Sequence, residues 1–182
     1  MKKPLKFLLI LIILTGVIYP LIVHSLGNIF FWYEAQGSII KNAGSELIAT
    51  SPDSNIYFYA RPSAGNYNTI PSGASNLSPT SRILKEKTDS LRILYRKINF
   101  LPDTTEVPED AIFASGSGLD NEISVRNAML QVDRIAKARG MNDEDKQKIY
   151  NIIHSLTQKE TFGFIGEERV NVLKLNIALD GK

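Results

Sequence analysis

Apolar positions in this chain follow two regimes. Residues 7–33 read FLLILIILTGVIYPLIVHSLGNIFFWY, without Asp, Glu, Lys or Arg, and with His24 as the one group able to take a charge. A helix of that length reaches about 40 Å, more than the roughly 30 Å of a bilayer's hydrocarbon core. In lipid the backbone must satisfy its own hydrogen bonds, so the run predicts one transmembrane helix. Pro20, inside it, withholds a backbone donor and predicts a bend. Phe30, Phe31, Trp32 and Tyr33 gather at the far end, where aromatic rings meet a membrane–water interface. A cleaved signal peptide is the competing reading, since Lys2, Lys3 and Lys6 form a basic lead. Against it, the apolar run resumes at Leu26 and no A-x-A cleavage site is present.

Beyond Tyr33 the pattern changes to short periodic segments. Residues 38–42 and 46–50 predict extended pieces around an Ala43-Gly44 turn, and 51–55 a loop. Residues 56–60 predict a strand that Arg61-Pro62 ends. Residues 63–78, SAGNYNTIPSGASNLS, are too rich in Gly, Ser, Asn and Pro for regular structure. With Tyr67, Ile70 and Leu77 embedded, they read as an ordered loop that faces a partner. Ser78-Pro79 starts a helix, with Ile83, Leu84, Leu91, Leu94, Tyr95 and Ile98 as its apolar set. A linker follows at 103–108 and a short strand at 112–114. Ser124 caps a helix striped by Val125, Ala128, Met129, Val132, Ile135 and Ala136 and closed by Gly140. Asn142 caps the next, with Asp143, Glu144 and Asp145 in the first turn and Ile149, Ile152, Ile153 and Leu156 buried. Residues 170–179, with Leu173, Leu175, Ile177 and Leu179 alternating, predict a final strand. The sum is an α+β chain: residues 1–6 leading, a span at 7–33, and one mixed domain over 34–182.

Charge sets the expected orientation. Three lysines precede the span, and the first acidic residue, Glu34, follows it. The positive-inside rule then keeps residues 1–6 in the cytoplasm and sends 34–182 across a bacterial inner membrane. Without those lysines, 18 basic residues face 19 acidic ones, so the basic balance of the whole chain is a topogenic signal. No basic stripe interleaved with aromatics supports a nucleic-acid partner. Cys is absent and the histidines are His24 and His154 alone, which removes disulfides and a zinc set. Ser115 and Ser117 lie among glycines without a G-x-S-x-G elbow, and no phosphate-binding G-x-x-x-x-G-K-[ST] loop occurs. The acidic trio at 143–145 reads as a helix start rather than a metal site. No catalytic residue and no metal ligand is assigned.

Six ordered motifs carry a resemblance: GSELIAT at 44–50, YFYARPSAGNYN at 57–68, SGASNLSPT at 72–80, SGSGLDNEIS at 115–124, QVDRIAKARG at 131–140 and GEERVNVLKLNIALD at 166–180. In this order they resemble the C subunit of Kdp-type potassium-transporting ATPases. The sequence departs from the family pattern at Gly73-Ala74, Ser78, Asp120-Asn121-Glu122 and Glu168, all in turns or at helix starts. The resemblance implies an accessory subunit of an ATP-driven potassium-uptake complex. Its partners would be a channel-like potassium-binding subunit, a P-type ATPase subunit that hydrolyses ATP, and a small single-span subunit. It further implies a role in assembly and as a catalytic chaperone that raises the nucleotide affinity of the ATPase subunit. Gln131 matches a glutamine considered to contact the nucleotide. The helical spacing itself makes Gln131 a polar residue at the edge of an apolar stripe, beside Ala128 and Ile135. An outward-facing domain would not meet cytoplasmic ATP. A second expectation is therefore that the domain only stabilises the complex near the outer mouth of the potassium pathway, through loop 63–78 and turn 115–121.

Overall fold

A computed structural model describes residues 2–51 and 54–181. Pro52 and Asp53, in the loop expected at 51–55, lie outside the described residues. The chain divides into two units, Met1–Lys41 and Asn42–Lys182.

In the first unit the apolar run is helical throughout: α1 (Lys2–Ile13), a π-helical turn (Leu14–Ile18) and α2 (Tyr19–Phe30). Its 28 residues from Lys3 to Phe30 have a mean hydropathy of 2.5, long and apolar enough to cross a membrane. The disturbance expected at Pro20 falls one turn earlier. The proline cannot donate to the carbonyl of Gly16 and its ring presses on it. The helix widens there, and Tyr19 N–H donates to Leu14 O, five residues back. Thr15 and Ser25 turn their hydroxyls onto Leu11 O (2.7 Å) and Leu21 O (2.8 Å), so neither is left bare in an apolar setting. The helix ends at Phe30, and Trp32–Ala35 forms a separate turn, α3, followed by a two-residue strand, β1 (Ile39–Ile40).

The second unit is built on helices with a two-stranded seam. β2 (Gly44–Ser45) is followed by a long stretch without regular structure, then α4 (Arg82–Ile98), a 3-10 turn at Glu109–Ala111, β3 (Glu122–Ser124), α5 (Val125–Ala138), α6 (Asp143–Leu156), β4 (Arg169–Asn171) and α7 (Val172–Leu179). β3 and β4 pair antiparallel with Ile123 opposite Val170. This is an α+β architecture. Its main core joins α5, α6 and α7 through Val132, Ile135, Ile149, Ile153 and Leu175, with Ile123, Val170 and Phe58. A second cluster, Tyr95, Val107 and Ile112, seats α4.

Caps explain the helix boundaries. Ser124 Oγ accepts from Asn127 N–H at 3.1 Å and Asn142 Oδ1 from Asp145 N–H at 2.9 Å, as expected. Gly140, at φ +65°, ends α5 in a Schellman pair, with Met141 N–H on Ala136 O at 2.9 Å. Elsewhere the structure corrects the sequence reading. α4 starts at Arg82 with Ser81 as cap, because 78–81 close a turn through Ser81 N–H to Ser78 O. Its inward face is Leu84, Thr88, Leu91, Tyr95 and Ile98, while Ile83 and Leu94 are exposed. Residues 46–50 are not a strand, and 112–114 follow a 3-10 turn rather than forming one. The strand expected over 170–179 stops at Asn171. There the side chain accepts from Lys174 N–H and starts a helix, and the alternating leucines are carried on α7.

Asn171 is buried, and its amide also donates to Glu46 O at 2.8 Å. Asn171→Ala removes the cap and leaves that carbonyl short of a partner. The expected loss is about 1–3 kcal/mol, read from chemical unfolding of the full chain in detergent.

Candidate functional site

α5 is amphipathic by its apolar residues, yet it also buries a polar row at i, i+4 and i+7: Asn127, Gln131 and Arg134. The row meets residues 55–59, the segment expected as a strand. It is extended but has no strand partner, and side chains supply its hydrogen bonds instead. Gln131 Oε1 accepts from Tyr59 N–H at 2.8 Å while Gln131 Nε2 donates to Tyr59 O at 3.2 Å. Asn176, on α7, does the same for Phe58, at 2.8 and 3.1 Å. Two amides thus imitate the edge of a sheet.

Gln131 is 1% exposed. Its remaining capacity goes to Asn127 Oδ1 (2.9 Å) and Arg134 Nη2 (2.7 Å), so both donors and both acceptor sites are engaged. The sequence-implied nucleotide ligand is therefore a main-chain clamp in this fold. Arg134, 2% exposed, donates to Asn99 Oδ1, Asn55 O and Tyr57 O at 2.7–2.9 Å and lies 3.8 Å from the centre of the Tyr59 ring. Burial pulls its pKa below the ordinary guanidinium value, opposed by Tyr59 and Tyr95. Arg139 completes the grip through Ile56 O, Leu179 O and the Asp180 carboxylate. Sequence reading missed Asn99, Asn127, Arg134 and Asn176. The polar period along α5 was a usable signal; Asn176 was hidden by the strand assignment.

The two glycine- and serine-rich segments come together. A Cβ on Gly118 (φ +70°) would stand 2.8 Å from Gly73 O and 3.3 Å from Ser63 Oγ, so turn 115–121 lies directly on loop 63–78. Ser63 Oγ also receives Gly65 and Tyr67 N–H, Tyr67 Oη donates to Arg61 O, and Arg61 pairs with Asp120 at 3.1 Å. The loop is thus tied down at its base, while Ile70 is exposed. Ser115 Oγ accepts from Gly118 and Asp120 N–H, which makes it a turn-former; His154 is exposed on α6.

An open cleft of about 660 Å³ lies between Arg61, Asp110, Asp120, Glu122, Arg126 and Arg169. Its charges are used internally: Arg169 pairs with Glu122, and Asp110 accepts from Ser124 and Asn127. Among the described residues no group of three His, Asp or Glu could hold a metal ion. Asp143, Glu144 and Asp145 occupy the first turn of α6, where Asp145 pairs with Lys148.

Gln131→Ala strands Tyr59 N–H, Tyr59 O and one guanidinium nitrogen. The expected cost is about 2–4 kcal/mol. Amide exchange should accelerate at Tyr59 more than at Phe58, which Asn176 still holds. Gly118→Ala combines a left-handed backbone with a clash, and a loss of roughly 1–3 kcal/mol is expected on thermal unfolding.

Comparison with known proteins agrees with the sequence motifs. The family described as "K+-transporting ATPase, c chain" matches residues 1–181. A Mycobacterium bovis protein named "Potassium-transporting ATPase KdpC subunit" is 40% identical, covering 97% of this chain and 95% of its own. Proteins of the same name from Leptospira interrogans (39%; 98% and 92% covered) and Rhodopseudomonas palustris (40%; 95% and 92%) are similar to the same extent. The chain belongs to the KdpC family, the C subunits of potassium-transporting ATPases.

Proposed function

We propose that this chain is a non-catalytic accessory subunit of an ATP-driven potassium-uptake complex. Its apolar helix would anchor it, with Lys2, Lys3 and Lys6 in the cytoplasm and the α+β unit outside. ATP hydrolysis would reside in a P-type ATPase partner, and potassium binding in a channel-like one, with a small single-span subunit beside them. The observation that carries the reading is Gln131, whose amide is buried and fully bonded to the chain itself. A nucleotide contact there would have to break the clamp on Tyr59 and the bond to Arg134. Any effect of this subunit on the ATP affinity of its partner then runs through conformational coupling rather than contact.

A second, narrower reading has its own support. Loop 63–78 and turn 115–121 form one surface through the close approach of Gly118 to Gly73. This surface would face the channel-like subunit near the outer mouth of the potassium pathway, and stabilising the complex would be its whole task.

The chain lacks cysteine, and Ser117 is exposed. Ser117→Cys in intact cells should react with a membrane-impermeant maleimide. Labelling only after the membrane is opened would place the domain in the cytoplasm and return Gln131 to the list of nucleotide ligands.

A further inference from the structure

Between α6 and β4 the chain makes a finger. Gln158 pairs with Arg169 and Thr161 with Ile165, the inner bridge closed by hydrogen bonds of 2.9 and 3.0 Å. Residues 161–168 are all exposed. At the tip Phe162, Phe164 and Ile165 are 83%, 76% and 52% exposed.

Single apolar side chains on a surface need no explanation, but this group differs in two respects. Phe162 has φ +57° and Gly163 φ +76°. Hairpin turns with positive φ at both central residues ordinarily take Asn-Gly or Gly-Gly, and a bulky residue there is disfavoured. Phe100 shares this backbone at φ +58°, but it ends α4 in a Schellman pair and its ring lies 4.1 Å from Lys137 Nζ. Phe162 instead projects into solvent. The finger is also held firmly at its base, because its return strand runs through Arg169 into β4, opposite Ser124, the cap of α5.

Charge and area narrow the occupant. Arg169 is taken by Glu122, which leaves Lys159 against Glu160, Glu167 and Glu168 on the finger. Such an acidic collar is repelled by an anionic lipid surface and suits a basic rim. Two phenylalanines and an isoleucine cover on the order of 500 Å². That is below the ~800 Å² per partner of a free-standing complex, so the tip alone would not hold a second copy of the chain. It is sufficient as a second point of attachment where a membrane span already keeps two chains together.

We propose that the 158–169 finger inserts Phe162 and Phe164 into an apolar, basic-rimmed pocket on a membrane-embedded subunit of the transporter. The inference builds on the accessory-subunit reading and supplies a docking element for it.

The test uses the full chain in the assembled complex. A photoreactive benzoyl-phenylalanine at position 162 or 164 should give, on irradiation, an adduct with another subunit, and none should form from the same group at Ser155 on α6. Phe162→Gly relieves the left-handed backbone, so the unfolding temperature of the full chain should stay the same or rise while retention in the complex falls about tenfold. A merely structural role would lower both. Adducts with lipid alone, or unchanged retention of Phe162→Gly and Phe164→Ser, would overturn the finger and leave the accessory role standing. Failure of the wild-type chain to co-purify with the transporter would overturn both.

Discussion

A guanidinium taken out of water must find acceptors, and Arg134 finds them without a carboxylate. Among the described residues its partners are the carbonyls of Asn55 and Tyr57 and the amide oxygens of Asn99 and Gln131, with the Tyr59 ring against its face. Its pKa is lowered by burial, but arginine stays charged at any physiological pH, so the charge is permanent and the acceptors must stay in place. That single requirement fixes the end of α4, the middle of α5 and the segment 55–59 relative to one another. Tyr95 extends the same network to Asn127, and burial pushes its pKa up, so its hydroxyl remains a donor.

The clamp has consequences for the surfaces the chain offers. Segment 55–59 leads through Arg61 into loop 63–78, which rests on turn 115–121 at Gly118; that turn continues through Asp120 into β3 and the cap of α5. β4 closes against β3 and carries the finger on one side and α7 on the other. Loop, turn and finger therefore spring from the same few residues around the ends of α5. Side-chain hydrogen bonds, rather than a broad sheet, hold them there, so changes in this polar row act on distant surfaces without touching them.

Several elements were legible because their signals are local. Ser124 and Asn142 as caps, Gly140 as a stop and the Ile149–Ile153 stripe depend on residues within one or two turns of each other. The stretch at 170–179 misled for the same reason. Leu173, Leu175, Ile177 and Leu179 alternate as a strand would, and only the cap at Asn171, with Leu175 packed in the core, selects a helix. The segment at 56–60 was half legible: extended, as its aromatic residues suggest, yet paired with amide side chains instead of a strand. A long-range pairing of that kind, 72 or 118 residues apart, leaves no periodic trace.

The sequence by itself determined the apolar span, the division between it and an α+β unit, the helices of the second half and, through six ordered motifs, the family. These follow from hydropathy, capping chemistry and residue identity, which act over short stretches or need no geometry at all. Tertiary structure alone decided the state of Gln131. The same residue is a ligand candidate by its motif and a boundary residue by its spacing. It becomes a saturated clamp because burial leaves a polar side chain no water to bond, and the chain at Tyr59 and Arg134 satisfies it instead.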